Sequence, residues 1–464
     1  MATISTNKPL SVFSLVMINI IAIDSLRNLP VNAVNGLAIP FYYLIACLFF
    51  MIPCALVTAV LATHFPKTGG SYVWVRQAFG TRLGFITIWL QWIYNVFWYP
   101  TILAFVATNI AYFIRPELVQ DKLYLVSMII GLFSIASLVN WFGMQVSSLM
   151  SILSAIIGTI IPMSLIIMLG IYFVFQHPNT IIEANLNGLG SWLPNLTQSN
   201  NLAFFGIILF SVFGLEMSAT HAESVQNPEK NYPKALLYSS VFIVLSLVLA
   251  SLAIAFIVPH DQLNILSGLD QAMALVLAKS HASFLLPLFI FAIIIGSLGG
   301  ISAWVIGPAK GLMVAADDGN LPGELARLNR FGSPTRILLL QWLLVILLCG
   351  LFIYLPSFNT SYWLLSNITA QLALLFYLLF FAAAFSLSRR LPNKSGAFKL
   401  SPWFLKLVSG IGFLLCLASF IIGFIPPTAI DIINLAQYET FLIGGIGIFL
   451  GLGFLFSTRK MDTQ

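Results

Sequence analysis

Three ionisable residues lie inside stretches of sequence that are otherwise apolar. Asp24 and Arg27 interrupt the first long apolar stretch, and Glu216 interrupts the sixth. A charged side chain at the centre of a bilayer costs roughly 2.5–3.5 kcal/mol even on the lenient insertion scale, so such residues are kept for a partner charge, an ion or a solute. No nucleophile–base pair, phosphate-binding loop or metal-ligand cluster accompanies them. The chemistry to expect is therefore recognition of charge rather than bond making.

The composition places the chain in a membrane. Of its 464 residues 59% are hydrophobic and 8% are charged, whereas a soluble domain has about 25% charged residues. Only helices and closed barrels cross lipid, and the alternating pattern of barrel strands is absent, so we predict an all-α membrane protein. Because a span needs about 20 apolar residues, we predict twelve transmembrane helices. These spans, numbered in chain order, are residues 10–33, 40–63, 84–113, 123–141, 146–175, 201–220, 236–258, 284–312, 336–355, 361–387, 403–425 and 438–457.

The positive charges predict the orientation of the chain. With both termini placed in the cytoplasm, the 21 Lys and Arg residues lie in cytoplasmic segments, except Arg27 within span 1 and Arg115, Lys122 and Lys279 outside. This asymmetry follows the positive-inside rule. We therefore expect a multi-pass protein of the cytoplasmic (inner) cell membrane with both termini cytoplasmic. The net charge of +6 has the same explanation, so no nucleic-acid partner is expected.

Spans 1 and 6 are interrupted at corresponding places. Residues 24–30 of span 1 and residues 211–216 of span 6 combine polar side chains with a helix breaker, Pro30 in one and Gly214 in the other. Matched interruptions in two halves point to an inverted repeat with a binding site between the halves. Unwound turns expose backbone groups, and half-helix ends attract opposite charges, so two such turns suit a zwitterion. The predicted organisation is one domain, 1–464, with repeats at about 10–175 and 201–387 and helices 11–12 at about 403–457.

Three sequence blocks resemble the amino acid–polyamine–organocation superfamily. They are PKTGGSYVW at 66–74, GLEMSATH at 214–221 with NPEKNYPKA at 227–235, and GSLGGISAWVIGPAKG at 296–311. Within the superfamily the chain is most similar to the bacterial glutamate/γ-aminobutyrate antiporter branch. The resemblance implies a five-plus-five inverted-repeat fold with broken helices 1 and 6, two extra C-terminal helices, and a substrate held between helices 1, 3, 6, 8 and 10. It also implies exchange of one amino acid for its amine or for another amino acid, without sodium.

Carried over by position, the resemblance predicts the substrate site. The helix 1 break, Ile23 to Asn28, and the helix 6 break, Ser211 to Glu216, would bind the α-groups. Trp304 would be an aromatic wall, and Glu216 would be an acid beside the site. The predicted substrate-binding residues are Ile23, Asp24, Ser25, Arg27, Ser211, Phe213, Gly214, Glu216 and Trp304. No catalytic or metal-binding residue and no cofactor is expected.

Arg27 departs from the small, Gly/Ser-rich first interruption of many relatives. A guanidinium can bind a carboxylate through two parallel hydrogen bonds, so Arg27 can read the side-chain acid of a glutamate-like substrate or its α-carboxylate. The alternative is an internal ion pair with Asp24, three residues earlier on the same helix face. The sequence leaves both interpretations open.

Three further residues are candidates for proton coupling or gating. Glu216 can bind the substrate ammonium or carry a proton, or it can be a structural carboxylate that holds unwound backbone. Lys310 near the inner end of span 8 either has a functional role or extends to the membrane surface. His221 is either sensitive to pH or an ordinary hydrogen-bonded histidine. The sequence does not separate these alternatives.

The sequence therefore predicts a secondary amino acid transporter working by alternating access. It favours an antiporter that exchanges a glutamate-like amino acid for an amine or another amino acid, and the alternative is a proton-coupled permease for neutral or cationic amino acids. An enzyme would need a polar catalytic cluster and a channel a continuous polar lining, and neither is present. The expected partners are an amino acid, its counter-substrate and the lipid bilayer.

Overall fold

Long apolar helices make up the computed structural model of the chain. It describes residues 10–458, except residues 68, 144–151, 178–191, 195–198, 259–262, 264–265, 280, 393, 395 and 427–434. The helices are α1 (Val12–Ile23), α2 (Asn28–Ala33), α3 (Gly36–His64), α4 (Ser71–Phe79), α5 (Thr81–Ile114), α6 (Lys122–Trp141), α7 (Ile152–Gln176), α8 (Ser199–Phe210), α9 (Pro228–Ile257), α10 (Gly268–Lys279), α11 (Ser283–Asp317), α12 (Thr335–Tyr354), α13 (Phe358–Leu387), α14 (Pro402–Ile422) and α15 (Leu435–Thr458). A 3₁₀ helix, Leu215–Ser224, follows α8.

Ten of the described helices are long and apolar enough to cross a membrane. They are α3, α5, α6, α7, α9, α11, α12, α13, α14 and α15, and each overlaps one predicted span. The other two predicted spans contain shorter apolar segments, Val12–Ile23 and Phe205–Ala219. The chain is therefore a multi-pass membrane protein. The full set of twelve spans stays a prediction.

Both shorter segments stop at polar or glycine-containing sequence. Helix α1 ends at Ile23 and α2 begins at Asn28. Helix α8 ends at Phe210, and the 3₁₀ helix begins after Gly214, whose φ of +123° is open mainly to glycine. We call residues 24–27 the first interruption and residues 211–214 the second interruption.

Helix α5 lies at the centre of the molecule. Within its most apolar stretch 72% of the residues are buried, and the corresponding share is 67% for α13 but 17% for α15. Helix α5 packs against both α11 and α13, and α1 packs against α9 and α11. The first interruption bonds to α5 through Arg27 and Thr101, and the second bonds to α13 through Gly214 and Tyr377, so both lie against the two most buried of these helices.

A glycine turn precedes α4, and a main-chain bridge precedes α1. Gly69 and Gly70 both have positive φ and make the sharp turn that leads into α4. At the start of α1, Leu10 forms a parallel bridge with Val225, and the Gln226 N–H donates to the Leu10 carbonyl at 3.3 Å. Apart from that bridge, the described ranges contain no β-structure.

Candidate binding site

A cavity lies where the two interruptions meet α5 and α11. It encloses about 430 Å³ of space, including its opening, and we call it the central cavity. Its lining consists of Ala22, Ile23, Ser25, Arg27, Asn28, Tyr94, Asn95, Trp98, Phe210, Ser211, Phe213 and Trp304. Five of the twelve lining residues are aromatic, and Arg27 is the one charged lining residue among the described residues. A small solute with a carboxylate and an apolar surface fits this chemistry.

The structure brings most of the predicted site residues together. Six of the nine line the central cavity, namely Ile23, Ser25, Arg27, Ser211, Phe213 and Trp304. Asp24, Gly214 and Glu216 lie beside the cavity without lining it. Lys310 is half-buried on α11 away from that lining, and the side chain of His221 falls outside the described part of the chain.

Arg27 is buried with only part of its hydrogen-bonding capacity used. The residue is 4% exposed, and its Nη1 donates to the Thr101 hydroxyl on α5. The guanidinium carbon lies 6.0 Å from the ring centre of Phe210 and 5.7 Å from that of Tyr362, within range for cation–π attraction. Its Nε has no hydrogen-bond partner. A buried donor left unpaired is costly, so this atom is available to an acceptor on a ligand.

Asp24 points away from Arg27. Its Oδ2 accepts a hydrogen bond from the Ser246 hydroxyl on α9 at 2.7 Å, and its Oδ1 has no partner. Ion pairs in the described part of the chain join Arg76 to Asp318 and Arg336 to Glu324, and neither pair includes Asp24 or Arg27. The internal Asp24–Arg27 pair, one of the two interpretations of Arg27, is therefore not formed in this structure.

Polar contacts hold α1 against α9 on the side remote from the cavity. Besides the Asp24–Ser246 bond, the Asn19 amide donates to the Ser239 hydroxyl at 3.0 Å. All four residues are buried. Since buried polar groups in lipid must find partners within the protein, these two bonds fix the rotation of α1 about its axis. Asp24 thereby faces α9, and the positions that follow it face the cavity.

The second interruption is held by Tyr377 of α13. The Gly214 N–H donates to the Tyr377 hydroxyl at 2.8 Å, and that hydroxyl donates to Glu216 Oε2 at 2.7 Å. Glu216 is 2% exposed, and its other oxygen has no partner. One tyrosine thus ties an unwound backbone amide and a carboxylate to the same helix. This geometry fits the structural interpretation of Glu216.

The absence of a side chain at Gly214 leaves space for the Trp304 ring. A Cβ at position 214 would lie 2.8 Å from Trp304 Cζ2 and 3.2 Å from Ile23 Cγ1, which is too close for an ordinary contact. The Trp304 indole N–H donates to the Ala22 carbonyl at 2.7 Å, in the last turn of α1. The indole therefore lies between both interruptions and joins α11 to α1.

Helix α5 supplies cavity residues that the sequence did not single out. Tyr94, Asn95 and Trp98 line the cavity, and the Tyr99 hydroxyl donates to the Trp304 carbonyl at 3.0 Å. Positions 94, 95 and 98 share one helix face, and that spacing is the available signal. It is weak because α5 is rich in aromatic residues on all sides, so no face stands out before the fold is known.

Comparison with known proteins finds relatives along nearly the whole chain. The model of the amino acid permease family matches residues 10–449. A protein of Legionella pneumophila named as an uncharacterized transporter is 48% identical over 461 residues, which are 99% of this chain and 98% of that protein. A glutamate/gamma-aminobutyrate antiporter of Lactococcus lactis is 26% identical over 446 residues, 94% of this chain and 88% of that protein. A probable agmatine/putrescine antiporter of the same species is 25% identical over 443 residues, 94% of this chain and 91% of that protein.

Proposed function

We propose that this chain, which belongs to the amino acid permease family, exchanges a glutamate-like amino acid for an amine or another amino acid by alternating access. The resemblance to the superfamily is confirmed by the family match, and the named relatives are transporters, so the chain is a transporter and not an enzyme. The observation that carries the choice of substrate is the buried guanidinium of Arg27. It is the one charge in the lining of the central cavity among the described residues.

The proposed topology has twelve spans in the cytoplasmic membrane with both termini cytoplasmic. Helices α1 and α2 would form a broken span 1, and α8 with the 3₁₀ helix would form a broken span 6. Residues 10–175 and 201–387 would be the inverted repeats, and residues 403–457 the two added helices. Support comes from the ten long apolar helices and from the position of both shorter segments at one cavity.

The central cavity would hold the α-groups of the substrate. The last turn of α1 carries the negative end of its helix dipole, which favours the ammonium. Trp98 and Trp304 also line the cavity, and their rings would add cation–π attraction to an ammonium. Ser25 and Ser211 supply hydroxyls, and Arg27 supplies the charge for a carboxylate. A substrate with more carboxylate than ammonium groups is favoured because the described lining contains no acid.

The alternative function, a proton-coupled permease, has its own supporting observation. Asp24 and Glu216 are both buried and each keeps one oxygen without a partner. A carboxyl group in that setting is able to exchange a proton as its surroundings change. Lys310 and the region of His221 remain candidates for gating in either mechanism.

Transport by the purified full-length chain in proteoliposomes separates these proposals. Vesicles loaded with L-glutamate, γ-aminobutyrate or buffer alone would be supplied with labelled L-glutamate, with and without a pH gradient. We expect uptake only into vesicles loaded with a counter-substrate. Uptake into buffer-loaded vesicles that requires the pH gradient would instead establish the proton-coupled alternative. Absence of glutamate uptake under all these conditions would overturn the proposed substrate.

A further inference from the structure

A second cavity lies beside the central cavity, between α2, α8, α13 and α14. It encloses about 620 Å³ of space, including its opening. We call it the side cavity and define it by Arg27, Phe210, Tyr362, Asn367, Gln371 and Ser419. Arg27, Asn28 and Phe210 line both cavities, so the two spaces are neighbours with the guanidinium between them.

Unpaired polar atoms are concentrated in the lining of the side cavity. Arg27 Nε, Asn367 Nδ2, Gln371 Oε1 and Ser419 Oγ all lack a hydrogen-bond partner. Three of these residues are deeply buried, with exposures of 4% for Arg27, 2% for Gln371 and 1% for Ser419. Buried polar atoms in native proteins are nearly always paired with protein, water or a ligand. Ser366 Oγ is a fifth unpaired atom on a lining residue, so several unpaired atoms around one space indicate a site that is completed by a bound molecule.

The chemistry of these atoms selects an anion. The described lining contains one cation, Arg27, and no acid. The guanidinium Nε–H, Asn367 Nδ2 and the Ser419 hydroxyl are donors, whereas Gln371 Oε1 is an acceptor that a carboxylate does not satisfy. A carboxylate offers several lone pairs to such donors, and its hydrogen bonds to a guanidinium are strengthened by charge. An ammonium or an alkyl group would leave the same donors unsatisfied.

The wall that α14 contributes depends on Gly423. A Cβ built at this position would lie 1.7 Å from Gln371 Nε2, so the glutamine amide packs directly on bare backbone. Gly423 has φ −66° and ψ −7°, which any residue adopts. An alanine is therefore compatible with the backbone here and acts by displacing the Gln371 amide within the cavity.

We propose that the side cavity is a subsite for the distal carboxylate of the substrate, reached past Arg27 while the α-groups occupy the central cavity. This inference rests on the proposed exchange of a glutamate-like amino acid. It assigns acid selectivity to α13 and α14 as well as to the first interruption. Asn367 and Ser419 then bind the end of the side chain, the Gln371 side chain forms part of the wall, and Arg27 bridges the two subsites.

The test compares substrates that differ at the distal group. In the full-length chain, Ser419→Ala removes one donor and Gly423→Ala displaces the glutamine amide. KM for L-glutamate exchange and the inhibition constant of L-glutamine would be measured for each variant. We expect KM for glutamate to rise about tenfold, since a hydrogen bond to a charged group is lost, while the glutamine constant stays within about twofold. The unchanged glutamine constant shows that the variant is folded.

Gly410→Ala on the same helix is the matched control, because a Cβ at that position meets nothing within 4 Å. It should change neither constant. If Ser419→Ala and Gly423→Ala alter both constants equally, or alter neither, the subsite is refuted while the proposed exchange stands. If the unsubstituted chain exchanges no glutamate, both proposals fail. Acetate is a further competitor to test. If it inhibits glutamate exchange by the unsubstituted chain as strongly as glutamine does, and does not inhibit the variants, the cavity is a general anion site and the link to the substrate is refuted.

Discussion

The two interruptions are equal in length but differ in how their polar groups are satisfied. At the second interruption one hydroxyl, that of Tyr377, pairs with both the Gly214 N–H and the Glu216 carboxylate. At the first interruption two opposite charges lie close in sequence, yet Asp24 binds Ser246 and Arg27 binds Thr101. The Arg27 guanidinium keeps one donor, Nε, without a partner, and Arg27 lines both cavities. The comparison indicates that the second interruption fixes the structure of the site, whereas the first interruption recognises the charge of the ligand.

The strongest test of this division removes the charge of Arg27. Arg27→Gln keeps a donor for Thr101 but removes the guanidinium, so we expect KM for L-glutamate to rise about 100-fold, equivalent to about 2.7 kcal/mol. Exchange kinetics in proteoliposomes measure it, with the exposed Arg82→Gln at the start of α5 as control. An unchanged KM together with unchanged preference over L-glutamine would show that the first interruption does not read the ligand.

The second interruption should respond in stability rather than in selectivity. Gly214→Ala forces a non-glycine residue to φ +123° and brings its Cβ 2.8 Å from Trp304. Such a backbone costs roughly 1–3 kcal/mol, and the contact adds strain. Thermal unfolding of the purified protein in detergent would report a lower midpoint. Gly206→Ala on α8, where a Cβ meets nothing within 4 Å, should leave it unchanged. Equal midpoints for both variants would count against the shaping role.

The surroundings of the first interruption should respond to pH. Helix α10, which is not among the long apolar helices, packs on α2, and burial raises the pKa of its Asp270 from 3.8 to about 8. The native carboxyl keeps its proton until about pH 8, while the unfolded chain loses it near pH 4. Rising pH therefore favours unfolding between these values, by up to about 1.4 kcal/mol per pH unit.

Unfolding midpoints of the purified protein, recorded in one detergent from pH 5 to pH 8, would reveal the effect of Asp270 as a midpoint that falls with rising pH. Asp270→Asn should flatten the dependence because the amide does not titrate. A slope identical in the variant would assign the pH response to other groups. Measurement of Gly214→Ala over the same range would show whether the effect is confined to the α2 side.

The smallest expected effect is at Glu216. In Glu216→Gln the amide oxygen still accepts the Tyr377 O–H bond, so we expect the rate of glutamate exchange to change by less than about threefold, or under 1 kcal/mol. Tyr377→Phe, which removes both bonds, should reduce the rate more. Loss of a pH-driven component of uptake in Glu216→Gln alone would identify a proton carrier and reverse the assignment of the two interruptions.

Much of the fold follows from sequence because membrane insertion leaves a coarse signal. Stretches of about 20 apolar residues predict helices reliably when lipid forbids other structures. Gly214 and the polar run from Asp24 mark places where a helix is hard to continue, and α1 and α8 end there. The family resemblance, carried by motifs such as the one around Trp304, is confirmed by the family match.

The partners of the buried polar groups could not be predicted from sequence. Ser246, Thr101 and Tyr377 lie on helices far along the chain from the residues that they bind. The spacing of Asp24 and Arg27 favoured a mutual pair, but the chain leaves the helix between them, so spacing on an ideal helix no longer describes their directions. Ser419 and Gln371 carry no motif at all. They can be recognised as site residues only once tertiary packing shows that they line one cavity.

The parallel bridge between Leu10 and Val225 has a mechanical consequence. It joins the start of α1 to the chain just beyond Leu215–Ser224, and the Gln226 N–H secures it to the Leu10 carbonyl. A tilt of α1 must therefore carry the 3₁₀ helix with it or break that main-chain bond. The two segments are thus joined at this end, and at the central cavity the Trp304 indole binds the Ala22 carbonyl while the Tyr377 hydroxyl binds the Gly214 N–H. A ligand that displaces one segment must therefore displace the other as well or break one of these contacts.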